Sequence, residues 1–175
     1  MTEIDWPWQY SFPPFFTLQP HSETRAKQLS AWKNLVLEYY RVTKQAIVDI
    51  REVQSSALFN NTSINRKLPS EVVLIILEEL AKSGNASPLD KSKQRWLVYS
   101  HTLEEWGEIV YNWAQENGFV GSVCTLFELT QGEDTVNQEF YGLDTEVLIR
   151  SLRTLESSKK AELIMFDEHQ GVKFF

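Results

Sequence analysis

The chain has 175 residues, enough for one ordinary domain or two small ones. Hydrophobic residues make up 42% and aromatics 13%, which excludes wholesale disorder. The net charge of −7 is uneven: residues 1–100 carry 12 Lys and Arg against 10 Asp and Glu, whereas residues 101–175 carry 5 against 14.

An acidic C-terminal half repels phosphate backbones and suits a basic protein partner. The single cysteine, Cys124, excludes an intramolecular disulfide and a cysteine zinc site, and points to a reducing compartment. The start of the chain is acidic and proline-bearing, unlike a secretion signal. The longest aliphatic run, 72–77, is too short to span a bilayer. A cytoplasmic protein is expected.

Residues 1–21 read as an extended Pro/aromatic arm. Six aromatics and three prolines fall between Trp6 and Phe16. Proline interrupts helix and disfavours a central strand, and such segments lean to an extended backbone. Rings this dense must be buried on something, at roughly 1.5–3 kcal/mol for each Phe-sized side chain. The expectation is that Trp6, Trp8 and Tyr10 lie partly on their own domain, whereas Pro13-Pro14-Phe15-Phe16 inserts into a partner. A WW domain is a second conceivable reader, although Phe16 stands where its ligands carry tyrosine.

Next, Leu29, Trp32, Val36 and Tyr39 follow helical spacing. A short strand is expected at 46–49. A helix over 70–83 starts at Pro69, with Val73, Ile76, Leu77 and Leu80 on one face. A strand follows at 95–99. The order then repeats. A helix runs over 104–117, a short strand over 122–125, and a second helix over 144–157 behind Asp144. Strands at 161–166 and 172–175 flank a turn at 167–171.

The recurrence extends to individual residues. Leu68, Glu71, Val72, Leu77, Leu80 and Ala86 return 75 positions later as Leu143, Glu146, Val147, Leu152, Leu155 and Ala161. Leu29, Trp32, Leu35, Val36 and Tyr39 return 74 positions later as Leu103, Trp106, Ile109, Val110 and Trp113. Helix, short strand, short helix, helix and hairpin is the winged-helix plan. The fold class is therefore α+β, mainly α: an arm at 1–21, a first winged helix at 22–100 and a second at 101–175.

No catalytic constellation stands out. His21, His101 and His169 have no metal-ligand spacing, and the seven glycines form no phosphate loop. No cofactor and no metal are expected, and Cys124 reads as a buried small hydrophobe. Winged helices often bind nucleic acid, which makes a nucleic-acid-binding or transcription-elongation-associated regulator the competing class. That would need basic recognition helices. Residues 70–83 offer only Lys82, and 144–157 offset Arg150 and Arg153 with Asp144, Glu146 and Glu156.

Several blocks together carry a family resemblance over essentially the whole chain: Trp6-Pro7-Trp8-Gln9-Tyr10, the run from Phe12-Pro13-Pro14-Phe15-Phe16 to Pro20, Arg66-Lys67-Leu68-Pro69, Glu104-Glu105-Trp106-Gly107, Gly132-Glu133-Asp134-Thr135 and the terminal Gly171-Val172-Lys173-Phe174-Phe175. They resemble the winged-helix subunit family of the endosomal complex ESCRT-II. The resemblance implies a non-enzymatic scaffold that sorts ubiquitinated membrane cargo into multivesicular bodies. It implies two copies per complex beside the other two ESCRT-II subunits, docked through Trp6, Trp8, Pro13, Pro14, Phe15 and Phe16, with Arg66 and Lys67 nearby. It implies that the second winged helix recruits the charged-multivesicular-body-protein subunit of ESCRT-III through a basic segment, for which Glu104, Glu105, Glu108, Glu133 and Asp134 of the acidic half are candidate steering residues. It also implies peripheral association with the endosome membrane, a transcription-elongation partner in animal members and hence a nuclear pool.

Overall fold

A computed structural model describes residues 3–165 and 168–175. The chain divides into two compact units, Met1–Ser100 and His101–Phe175.

In the first unit, two 3-10 turns, Trp8–Ser11 and Pro13–Phe16, precede helix α1 (Ser22–Thr43). Strand β1 (Ile47–Asp49) leads into a 3-10 turn, Ile50–Ser55, and a two-rung hairpin of β2 (Asn60–Asn61) and β3 (Arg66–Lys67). Helix α2 (Ser70–Lys82) starts behind Pro69, whose fixed φ suits a helix entrance. Strands β4 (Ala86–Pro88) and β5 (Arg95–Val98) close the unit. The antiparallel sheet has the order β1-β5-β4, with Val48 opposite Trp96 and Ala86 opposite Val98.

Apolar spacing decides which faces are buried. On α1, Trp32, Leu35, Val36 and Tyr40 turn inward; on α2, Val73, Ile76, Leu77 and Leu80 do the same. Leu58, Phe59, Leu68 and Trp96 fill the space between the helices and the sheet.

The second unit runs α3 (Leu103–Glu116), β6 (Val123–Thr125), α4 (Leu126–Gln131), a 3-10 turn at Glu133–Thr135, α5 (Thr145–Ser157), β7 (Ala161–Met165) and β8 (Gln170–Phe174). Its sheet has the order β6-β8-β7. Side chains fix where each helix begins. Thr102 and Glu105 form a reciprocal capping box on α3, Thr125 accepts from the backbone N–H of Glu128, and the Asp144 carboxylate accepts from the N–H groups of Glu146 and Val147. Helices α3 and α5 approach closely at Gly107. A Cβ there would lie 2.7 Å from Thr154 Oγ1 and 2.9 Å from the Ser151 carbonyl oxygen. Trp106, Val110, Trp113, Leu129, Phe140, Leu148, Leu152, Val172 and Phe174 are buried in this unit.

Both units follow the winged-helix plan expected from the sequence. Some details differ. The arm is not extended: proline occupies the first position of the Pro13–Phe16 turn, where its missing N–H costs nothing. The short middle helix of the first unit is a 3-10 turn. Strand β4 and the β2–β3 hairpin appear where no strand was expected. The return strand of the second hairpin begins at Gln170, earlier than the expected 172. Phe166 and Asp167, assigned above to a strand and a turn, lie outside the described residues.

Candidate functional site

The N-terminal segment folds onto the first unit and sorts its rings into two groups. Phe15 is 4% exposed and Phe16 2% exposed. The Phe15 ring stacks on Trp32 with centroids 4.3 Å apart and planes 2° from parallel, while Phe16 meets Trp32 edge-on at 5.4 Å. Polar bonds lock this arrangement. Trp32 Nε1–H donates to the Phe15 carbonyl at 2.8 Å, and Gln28 Nε2 donates to the carbonyls of Phe15 (3.0 Å) and Thr17 (2.8 Å). The Gln19 N–H in turn donates to Gln28 Oε1 at 3.0 Å. Buried Gln28 is thereby satisfied on both ends of its amide.

Tyr10 anchors the first turn. Its hydroxyl donates to the Ala57 carbonyl, and its own carbonyl accepts from Asn61 Nδ2 at 2.7 Å. Burial, helped by neighbouring Tyr39, pushes the Tyr10 phenol up to about 12. Trp6 lies across this ring at 4.1 Å and keeps part of its surface in water.

The burial of the arm differs from the expectation in two rings, Phe15 and Phe16. Phe15 and Phe16 belong to the core of their own unit, where they pack on Trp32. The outward residues are Trp8, 69% exposed, Phe12, 48% exposed, and the two prolines Pro13 and Pro14. Trp8 and Phe12 meet edge-to-face at 5.6 Å. Phe12 is absent from the residues singled out in the sequence. It interrupts the two turns in extended conformation, which swings its ring outward. An exposed aromatic patch rimmed by proline is a common mark of a protein-binding surface.

Strand β3 runs beside the Pro13–Phe16 turn, so Arg66 and Lys67, both exposed, sit next to the prolines. The β2–β3 turn is made by Asn65 in the left-handed conformation, φ 53°.

In the second unit the five singled-out acids are all exposed but do not form one cluster. Glu104, Glu105 and Glu108 ride on α3, while Glu133 and Asp134 occupy the turn after α4. Glu105 is committed to the capping box, which holds its carboxyl below the usual range, and lies 3.8 Å from His101. Glu108 pairs with Lys160 at 2.9 Å. His101 also meets Glu139 at 2.5 Å. Glu104 and Glu133 form no ion pair among the described residues. Asp134 lies near Cys124, whose buried thiol is pushed up to about 11, first by burial and then by the charges of Glu128 and Asp134. A thiol so placed is a poor nucleophile.

The cations of the two recognition-position helices are spoken for. Lys82 pairs with Glu79 at 2.9 Å, Arg150 with Glu146 at 3.0 Å, and Arg153 with Glu156 at 3.5 Å. They offer little to a phosphate backbone. Among the described residues no three His, Cys, Asp or Glu side chains gather to hold a metal, and no helix is long and apolar enough to cross a membrane.

Known proteins resemble this chain throughout its length. Vacuolar protein-sorting-associated protein 25 of Xenopus laevis is 52% identical over 172 residues, covering 98% of this chain and 99% of its own. A crystal structure of subunit VPS25 of the endosomal trafficking complex ESCRT-II matches with a TM-score of 0.86 at 27% identity, over 98% of this chain and 99% of that one. A VPS22/VPS25/VPS36 structure of endosomal complex ESCRT-II contains a chain matching with a TM-score of 0.83 at 28% identity, over 96% and 98%. The model of the ESCRT-II complex subunit family matches residues 9–144, and the chain belongs to that family.

Proposed function

We propose that the chain is a structural, non-enzymatic subunit of ESCRT-II, docked to the other two subunits through the outward face of its N-terminal segment. The observation that carries this reading is the exposure of Trp8, Phe12, Pro13 and Pro14 on one short segment, with Trp8 and Phe12 in ring contact and strand β3, which bears Arg66 and Lys67, beside the Pro13–Phe16 turn. A monomer gains nothing from exposing a tryptophan to this degree; a partner pocket does, since buried aromatics dominate interface energetics. The flanking cations add steering and little affinity. Phe15 and Phe16 serve as the rigid floor that presents the patch, so little conformational freedom is lost on binding.

The remaining parts follow from the family. Two copies join each complex, which acts at the endosome in sorting ubiquitinated membrane cargo into multivesicular bodies. The acidic second unit engages the basic N-terminal segment of the ESCRT-III charged-multivesicular-body-protein subunit. The paired cations of α2 and α5 disfavour the nucleic-acid reading.

The test is co-purification of Trp8→Ala/Phe12→Ala with the other two ESCRT-II subunits. The variant should keep its fold and lose the complex. Recovery of intact complex at parental yield would refute the patch as the anchor.

A further inference from the structure

The free edge of β1 forms one wall of a pocket of about 310 Å³ in the first unit, a size at the small end of the range for ligand sites. Val98 donates its N–H to the Ala46 carbonyl, and Ile50 donates to Gln94, both at 2.8 Å. Ala46 and Ile50 therefore face β5, as does Val48 midway between them. By the alternation of an antiparallel ladder, the N–H and C=O of Ile47 turn to the outer edge. Strand β1 ends its sheet, so no further strand takes them up. Ile47 lines the pocket and is 46% exposed.

Tyr39 and Tyr40 add rings to the lining. Tyr40 is only 7% exposed, yet its hydroxyl makes no hydrogen bond among the described residues. The same unit pairs the Tyr10 hydroxyl with the Ala57 carbonyl. A buried hydroxyl left without a partner costs stability, so folding does not account for that of Tyr40. It is not sealed off: among the described residues only Trp106 Nε1 is both buried and unpartnered. Its opening is onto the pocket that it lines. Burial holds the phenol well above its ordinary value, so it stays neutral.

The charge of the pocket is negative. No lysine or arginine lines it among the described residues. Asp49 is answered by Arg51 at 2.8 Å, whereas Glu52 forms no ion pair among the described residues. Tyr40 stands in the last turn of α1, where the helix dipole favours a cation.

We propose that this pocket receives the guanidinium group of an arginine carried by an extended protein segment that pairs along the free edge of β1. The planar fork stacks on the Tyr39 ring and directs separate N–H groups to the Glu52 carboxylate and the Tyr40 oxygen. The backbone of the segment meets the N–H and C=O of Ile47, as in strand addition to a sheet edge. A free guanidinium compound would leave those edge groups unused, which favours a chain over a metabolite. The inference does not depend on the subunit-docking reading.

The test is a nuclear magnetic resonance titration of the isotopically labelled full chain with a blocked peptide carrying arginine between two valines. The amides of Ile47, Glu52 and Ala57 should shift and saturate. The norleucine counterpart should bind at least about tenfold more weakly, and Glu52→Gln should weaken the arginine peptide by about tenfold. Tyr40→Phe should weaken it by about threefold and melt no lower than the parent, because no bond within the fold is lost. Glu23→Gln, at the opposite end of α1, should bind as the parent does. Shifts that do not saturate, or an equally tight norleucine peptide, would overturn the site. Equal binding of the lysine counterpart would overturn the guanidinium assignment. Saturation by free arginine but not by the blocked peptide would give the pocket to a small molecule and refute the strand pairing. A Tyr40→Phe variant melting several degrees lower would show that the hydroxyl serves the fold.

Discussion

Replacing Phe15 by alanine separates a ring that builds the fold from one that builds the complex. Phe15 lies flat on Trp32 at 4.3 Å and is 4% exposed. Removing it takes away the transfer energy of the ring and leaves a hole beside the indole. Core Phe→Ala changes of this kind cost about 3–5 kcal/mol. A domain typically has only about 5–15 kcal/mol to lose. For a unit of this size each kcal/mol moves the melting temperature by about 4–8 °C, so a drop of well over 10 °C is expected. The assay is thermal unfolding followed by near-ultraviolet circular dichroism, which senses the Trp32 environment. Trp8→Ala is the matched control: its ring is 69% exposed, and a surface change of that kind stays within about 0.5 kcal/mol. Phe15→Ala melting within about 2 °C of the parent, while losing the other ESCRT-II subunits, would refute the assignment and return Phe15 to the interface.

Gly107→Ala should destabilise the second unit by about 1–3 kcal/mol, because the new Cβ meets the backbone carbonyl of Ser151 rather than a flexible side chain; chemical denaturation would measure it. Cys124 should resist alkylation at pH 8 in the folded chain and react quickly in denaturant, since burial raises its pKa to about 11; rapid labelling of the native protein would contradict its placement. The Glu105 carboxyl is held below its usual value of 4.5, chiefly by the Thr102 backbone N–H of the capping box. Its folded pKa is depressed, so its stabilising effect is present above that value and fades as pH falls through the folded pKa. The difference in melting temperature between the parent and Glu105→Ala should therefore be visible at pH 7 and shrink as the pH falls below the ordinary value of 4.5.

What the sequence made legible follows from local physics. The inward faces of α1, α2, α3 and α5 were readable because Trp32, Ile76, Val110 and Leu152 sit on apolar stripes of helical period. Asp144 announced α5 because a short carboxylate can satisfy two N–H groups that the helix leaves open. Strand β4 was not readable. Ala86-Ser87-Pro88 has weak strand propensity, and its pairing is imposed by β5. The β2–β3 hairpin is likewise polar and is ordered by its neighbours. Which rings of the arm the first unit buries was not readable. Six rings in eleven positions say that burial must occur, but not where, because the deciding partner, Trp32, lies sixteen residues beyond the nearest of them. Phe127 gave no periodic signal at all. It stands out only when strand pairing sets it against Arg51: β1 pairs with β5 as β6 pairs with β8, and aligning Ile47 with Val123 places Val53 on Leu129 and Arg51 on Phe127.

That last pair shows which positions of the shared fold are free to change. Both copies keep the buried strand centre, the side-chain cap after it and the apolar residue at Val53 or Leu129. These positions hold a small core together, and changing them costs stability in either copy. The position in this stretch that changes from charged to aromatic, Arg51 to Phe127, faces water. The first unit puts a charge at Arg51 and gathers its exposed rings at Trp8 and Phe12 instead. The second unit keeps no such arm and shows its ring at Phe127. Because surface changes cost the fold little, exposed positions of each copy can change while the shared interior stays nearly fixed. It follows that exchanging Arg51 and Phe127 between the copies should leave both melting transitions in place. A lost or broadened transition in that double variant would mean that these residues are part of the packing, and the separation of frame from contact surface would not hold.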